Sequence, residues 1–237
     1  MTFKFRKARS DRTLSTLENF LREVGDEPVE FLTRTFDDWR QISYAELEEL
    51  ILSGRAQDFF DWQSRYAEFV NTKLSPIWLT AIQVAAHNST LGKITIDDSD
   101  PRVKEFLQRR GSELITQLSD ESRKAVANVI LHGQSEHLAP KDIARQIRPL
   151  IGLNARQAQA NVNYRQKIFR QLIDNGLSAT VANSRADKSA IKYASKQHRQ
   201  RAETIVHTEL ARAYNQGAHD GILSAVQAKL MNHCEMV

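Results

Sequence analysis

The spacing of apolar and polar positions along the chain follows the helical period. Leu14, Leu17, Leu21 and Val24 lie three or four apart, which lines one face of an α-helix. Ser43-Tyr44-Ala45-Glu46 is a capping box: the serine hydroxyl accepts from a first-turn amide and the glutamate reaches back. It predicts a helix to about Ser53, closed by Gly54. The helical pattern continues over residues 56–70 through Phe59, Phe60, Trp62, Tyr66, Phe69 and Val70, an aromatic stretch read first as core. Ser75-Pro76 predicts a helix start, with proline where no amide bond is lost, running to about Asn88. Asp100-Pro101 predicts another start, with a helix to about Leu118. Ser119-Asp120-Glu121 then opens a helix that Gly133 closes. Pro140 opens a helix carrying Ile143, Ile147, Leu150 and Ile151 and closed by Gly152; Asn154 caps a long helix to about Asn175, ended by Gly176. Residues 177–190, rich in Ala, Ser and Asn, read as a loose connection before a last long helix over 191–230. Only Ile94-Thr95-Ile96, in an irregular stretch, offers a strand. The expected fold is all-α: a multi-helix bundle with an extended C-terminal helix and at most a very short β element near 94–96.

Composition narrows this picture. The 237 residues are 41% hydrophobic, enough for a sizeable core, and 5 prolines and 9 glycines leave long stretches free for helix. No run of about 18 apolar residues occurs, so no membrane span is expected. The basic N-terminus is followed by no apolar stretch, so no secretory signal is expected, and a single cysteine, Cys234, excludes an internal disulfide and fits a reducing compartment. Charge is segregated. Residues 1–12 hold five bases and one acid, residues 18–68 thirteen acids and five bases, and residues 156–201 ten bases and two acids. This suggests a flexible basic arm over 1–12, an acidic aromatic helical region over 13–72 and a helical domain over 73–237. The acidic front and the basic back point to different partners.

The segment Arg201-Ala202-Glu203-Thr204-Ile205-Val206-His207-Thr208-Glu209, with Ala213, Asn215 and Gly217 after it, concentrates polar residues on a predicted helix. Glu209 falls on the side of Ile205 and Ala213, and a buried carboxylate needs a partner. Arg156 and Arg165 are the candidate cations, with Thr208 and Asn215 completing a network that fixes helix register. A catalytic role is not expected. Glu203 lies on another side of the helix, His207 and His219 are twelve apart rather than at zinc-pair spacing, and no nucleophile elbow or phosphate loop occurs. Asp97, Asp98 and Asp100 lack the glycine and closing glutamate of a calcium loop. No metal, cofactor or small-molecule substrate is expected. A second candidate surface is cationic. Arg156, Arg165, Lys167 and Arg170 share one predicted helix; Lys188, Lys192, Lys196 and Arg199, spaced by four, four and three, form a stripe that can track a phosphate backbone.

From Ser75 to about residue 222 the order of signals resembles the phage minor head protein family, the Mu F-like head morphogenesis proteins. The matching pieces are Asp100-Pro101-Arg102-Val103 through Ser122-Arg123, Pro140 to Ile147, Ile151 through Ala158 to Arg165, and Arg201 to Glu209 with Ala213, Asn215 and Gly217. Val206-His207 stands where the family shows Ala-Arg. Members often continue into a segment with paired cysteines; only His233 and Cys234 stand near Val237, which leaves a short member and a cut chain both open. The resemblance implies a helical virion component, made in the host bacterial cytoplasm, working beside the portal protein in capsid assembly and in contact with double-stranded DNA. Two alternatives remain: a helical carrier of an enzyme or toxin whose catalytic part is absent, and a DNA-binding regulator with a helix-turn-helix over residues 120–151 that offers Lys141, Arg145 and Gln146.

Overall fold

The periodicity of the chain becomes helix after helix. A computed structural model describes residues 8–56 and 60–234, with side chains over 15–56 and 60–229. The helices are α1 (Ala8–Trp39), α2 (Tyr44–Leu52), α3 (Trp62–Phe69), α4 (Ser75–Ser89), α5 (Pro101–Ser135), α6 (Pro140–Ile147), α7 (Ala155–Asp174) and α8 (Ala179–Cys234). A π-helical turn, Val70–Leu74, joins α3 to α4, and a 3₁₀ turn, Arg148–Leu150, follows α6. The fold is all-α, with a long C-terminal helix. Residues 1–7 of the expected basic arm, and Phe59, lie outside the described residues; Ala8–Arg12 belong to α1.

Several local signals act as the sequence predicts. Ser43 Oγ accepts from the Glu46 amide, the serine half of the expected box and the only half that forms, and Gly54 follows α2 at φ +71°. Asn154 and Gln157 form a reciprocal capping box at the start of α7, and Gly176, at φ +82°, follows its end.

Other signals are overruled. No strand forms among the described residues: over 94–96 the Ile94 amide is held by Thr90 Oγ1 at 3.2 Å, and no neighbouring strand pairs with the segment. Ser75-Pro76 does open α4, with Pro76 in its first turn, but no loop precedes it: the Ser75 amide bonds back to the Val70 carbonyl, five residues earlier, so α4 follows the π turn directly. Ser119 does not open a helix; its hydroxyl bonds the Ile115 carbonyl at 2.7 Å, and α5 continues through it. Gly133 lies inside α5, where a Cβ would sit 2.6 Å from Ile143 Cγ1, so it marks a close helix approach rather than a stop. Residues 179–190 are helix, not a loose connection. Ala182, Ala186, Ala190 and Ala194 form a buried four-residue stripe of the best helix former.

The chain divides into two compact units. The first comprises the described parts of Met1–Val29, Phe69–Glu113 and Glu203–Val237; the second comprises the described parts of Glu30–Glu68 and Leu114–Ala202. Each draws on both the 13–72 and the 73–237 stretches. The first unit packs Trp78 against Phe106, with ring centroids 6.0 Å apart, and Phe20 against Tyr214. In it, Gly217 and Gly221 of α8 meet Ile82 and Ala86 of α4; a Cβ on Gly217 would stand 2.2 Å from the Ile82 carbonyl oxygen. The second unit centres on Trp39, edge-on to Trp62 at 5.4 Å and to Tyr66 at 5.2 Å. The aromatic stretch from Phe60 to Val70 is thus core: Phe60, Trp62, Tyr66, Phe69 and Val70 are all buried.

Candidate functional site

Glu209 lies on α8 in the first unit, with 4% of its side chain exposed. Burial of a lone carboxylate is unfavourable, and α5 supplies the cation. Arg110 Nε donates to Glu209 Oε2 and Nη2 donates to Oε1, both at 2.7 Å, a two-pronged guanidinium–carboxylate fork. Arg212 Nη1 adds a third bond to Oε1 at 2.9 Å. Arg110 also reaches Glu113 at 3.2 Å, and Arg109 reaches the other Glu113 oxygen at 3.1 Å. The hydrogen bond to Glu209 outweighs burial and raises the Arg110 guanidinium above its ordinary range; Arg110 is also the main cause of the lowered Glu113 carboxyl. The result is a ladder of alternating charge over α5 and one face of α8.

The partner differs from the one the sequence suggested. Arg156 is exposed and Arg165 pairs elsewhere, so neither reaches Glu209. Thr208 and Asn215 are exposed, because on α8 they fall away from the face that buries Val206, Glu209, Leu210 and Ala213. Gly217 contributes the close approach to α4 and no polar contact. Glu203 is half-buried. Arg201 is buried in the second unit, where Nη2 lies 2.9 Å from Glu121 Oε2; its angle is not that of a hydrogen bond, so the contact is electrostatic. Arg110 was missed, although it left a trace. It interrupts the stripe Val103, Phe106, Leu114 and Leu118 at a position where a core residue belongs.

The expected cationic surface divides. Lys188, Lys192, Lys196 and Arg199 are all exposed on the face of α8 away from its alanine stripe, with Arg185 continuing the row. On α7, Arg156, Lys167 and Arg170 are exposed. Arg165 leaves this set: it faces α8, with Nε 2.6 Å from Asp187 Oδ1 and Nη2 3.2 Å from Asn183 Oδ1. Its charge is used to join the two helices. Beside it, Asn161 Nδ2 bonds the Ala190 carbonyl and Gln197 Oε1 at 3.1 and 3.0 Å, which fixes the register of α7 on α8.

Among the described residues no group of three or more His, Cys, Asp or Glu side chains is arranged to hold a metal ion, and no helix is long and apolar enough to cross a membrane. Comparison of the chain with models of known families, with curated proteins and with solved structures finds no match.

Proposed function

We propose that this chain is a minor head protein of a tailed phage, acting in head morphogenesis beside the portal and touching packaged DNA without reading its sequence. The observation that carries this reading is the order of four sequence segments, from Asp100-Pro101-Arg102 to Thr208-Glu209 and Gly217, which resembles that family. The geometry lends support at both ends of that order. Asp100 caps α5 by accepting from the Arg102 amide at 2.9 Å, and the Arg102 guanidinium ties α5 to α8 through Ser224 Oγ at 2.8 Å. Glu209 forms the second tie through Arg110. On this reading the chain is made in the bacterial cytoplasm, enters the procapsid and catalyses no reaction. The acidic stretch over 18–68 offers carboxylates to the portal or another head protein, since most of its described aromatic side chains, Tyr44 excepted, are turned toward the core.

DNA contact falls to the exposed cations of α8 and α7, which neutralise phosphates and confer no base preference. The test is titration of labelled duplexes of unrelated sequence at rising salt. The reading expects equal affinities for all duplexes, weakening with salt. Replacing Lys188, Lys192 and Lys196 together by Gln should flatten the log–log salt slope by about 2.7, roughly 0.9 per lost phosphate contact. Binding that ignores salt, or no binding at low salt, rules out the DNA contact. A strong preference for one sequence favours the regulator. That reading has less support, because the short helix α6 buries Ile143, Ala144 and Ile147 and packs against α2.

A further inference from the structure

In the second unit a cleft of about 380 Å³ opens among the end of α1, the start of α2, the 3₁₀ turn and α8. Its chemistry comes from two arginines. Arg148 Nε donates to the Arg40 carbonyl at 2.8 Å, and its guanidinium carbon lies 4.5 Å from the centre of the Tyr44 ring. These two contacts fix the guanidinium plane and leave both terminal nitrogens uncommitted; among the described residues no carboxylate pairs with Arg148. Arg40 is mostly buried. Its Nη2 donates to Asp37 Oδ1, its Nη1 lies 3.4 Å from Ser195 Oγ, and its Nε has no partner. Burial first, and the Arg148 charge second, hold the Arg40 guanidinium below the usual arginine range. The cleft thus holds two guanidiniums against one lining carboxylate, Asp37, which bonds Arg40 alone, and the exposed Lys192 and Lys196 stand next in the chain to the lining residues Ile191 and Ser195. Such an excess of buried positive charge is unfavourable until an anion enters.

The geometry points to this cleft as a binding site for a phosphate group, held by the Arg148 fork and the Arg40 guanidinium. Guanidinium forks match phosphate oxygens two at a time. The volume lies within the range of small-ligand sites and exceeds what a single carboxylate fills. Two sources share this chemistry: a phosphodiester of a nucleic acid strand lying along the lysine row of α8, and a free phosphoryl compound. The site is independent of the DNA reading, since it rests on residues outside the lysine row.

Calorimetric titration of the full chain with pyrophosphate at low salt tests it. The expected result is one site, weakened at least tenfold by Arg148→Gln and also by Arg148→Lys, which keeps the charge and loses the fork. Lys124→Gln, an exposed lysine that lines no part of the cleft and lies outside the lysine row, should leave pyrophosphate affinity within about twofold. No pyrophosphate binding, or equal weakening by Lys124→Gln and Arg148→Gln, overturns the proposal. So does Arg40→Gln if circular dichroism shows it folded and its affinity is unchanged. An acidic peptide that binds the cleft where pyrophosphate does not would also overturn it. Competition separates the sources. Duplex DNA that displaces pyrophosphate identifies the phosphodiester, and duplex that leaves pyrophosphate bound identifies the free compound; both support the site. A chain that binds pyrophosphate and no duplex loses the DNA reading and keeps the cleft.

Discussion

At the residue scale, Glu209 has exchanged water for guanidinium groups: two bonds from Arg110 and one from Arg212, with its side chain 4% exposed. Removing it leaves Arg110, itself only 12% exposed, with no fork partner. Glu209→Ala should therefore destabilise the chain by about 3–5 kcal/mol, read as a lower denaturant midpoint. An unchanged midpoint would contradict the lock. The burial of Glu209 was legible in helical spacing. Its partner was not, because the pair is 99 residues apart and only the packing of α5 on α8 brings it together.

His198 gives a pH-dependent counterpart in the second unit. It is fully buried, its Nε2 lies 2.8 Å from the Ile151 carbonyl, and burial, ahead of the Arg40 charge, lowers its pKa to about 4. A depressed folded value means that the unfolded chain takes up the proton first as pH falls. The stability contribution is intact above about pH 6.5 and is lost progressively down to about 4, close to 3 kcal/mol in all. His198→Gln should flatten that part of the stability–pH curve in urea melts. A variant that loses stability as steeply as the parent between pH 6.5 and 4 would exclude this role.

At the element scale, capping chemistry was readable because it is local: Ser43, Asn154 and Gly176 act within one turn of their own position. Helix continuity was less readable. Ser119 carries the composition of a helix start, yet α5 continues through it, because buried residues on both sides hold the backbone helical; α4 opens at Ser75-Pro76 as expected, but directly after a π turn rather than a loop. Glycine roles also depended on neighbours the sequence does not display. Gly217→Ala tests one of them. In an isolated helix the change would stabilise by about 0.5–1 kcal/mol. Here the new methyl would stand 2.2 Å from the Ile82 carbonyl oxygen and 2.5 Å from its Cα, both backbone atoms that cannot rotate aside. Overpacking should win, with a net loss of about 1–3 kcal/mol in thermal or urea unfolding. A stabilised variant would show that α4 and α8 are not held this close.

At the scale of the whole molecule, the all-α fold was legible because helical periodicity and glycine-closed loops run nearly the length of the chain. The two compact units were not, since each gathers segments that lie far apart in sequence. The charge pattern survives folding in a form that suits the proposed function. The acidic stretch buries most of its described aromatic residues and leaves most of its carboxylates exposed, while α8 and α7 present unburied cations. The resemblance to head morphogenesis proteins then makes a demand that charge and stability measurements do not address, namely physical association with the portal. Co-expression of the full chain with the portal protein encoded in the same genome, followed by affinity capture on the portal and sizing of the complex, tests it most directly. The account predicts that the chain co-purifies with the assembled portal at a fixed ratio and that the complex survives moderate salt. A chain that elutes alone while the portal assembles normally would contradict it.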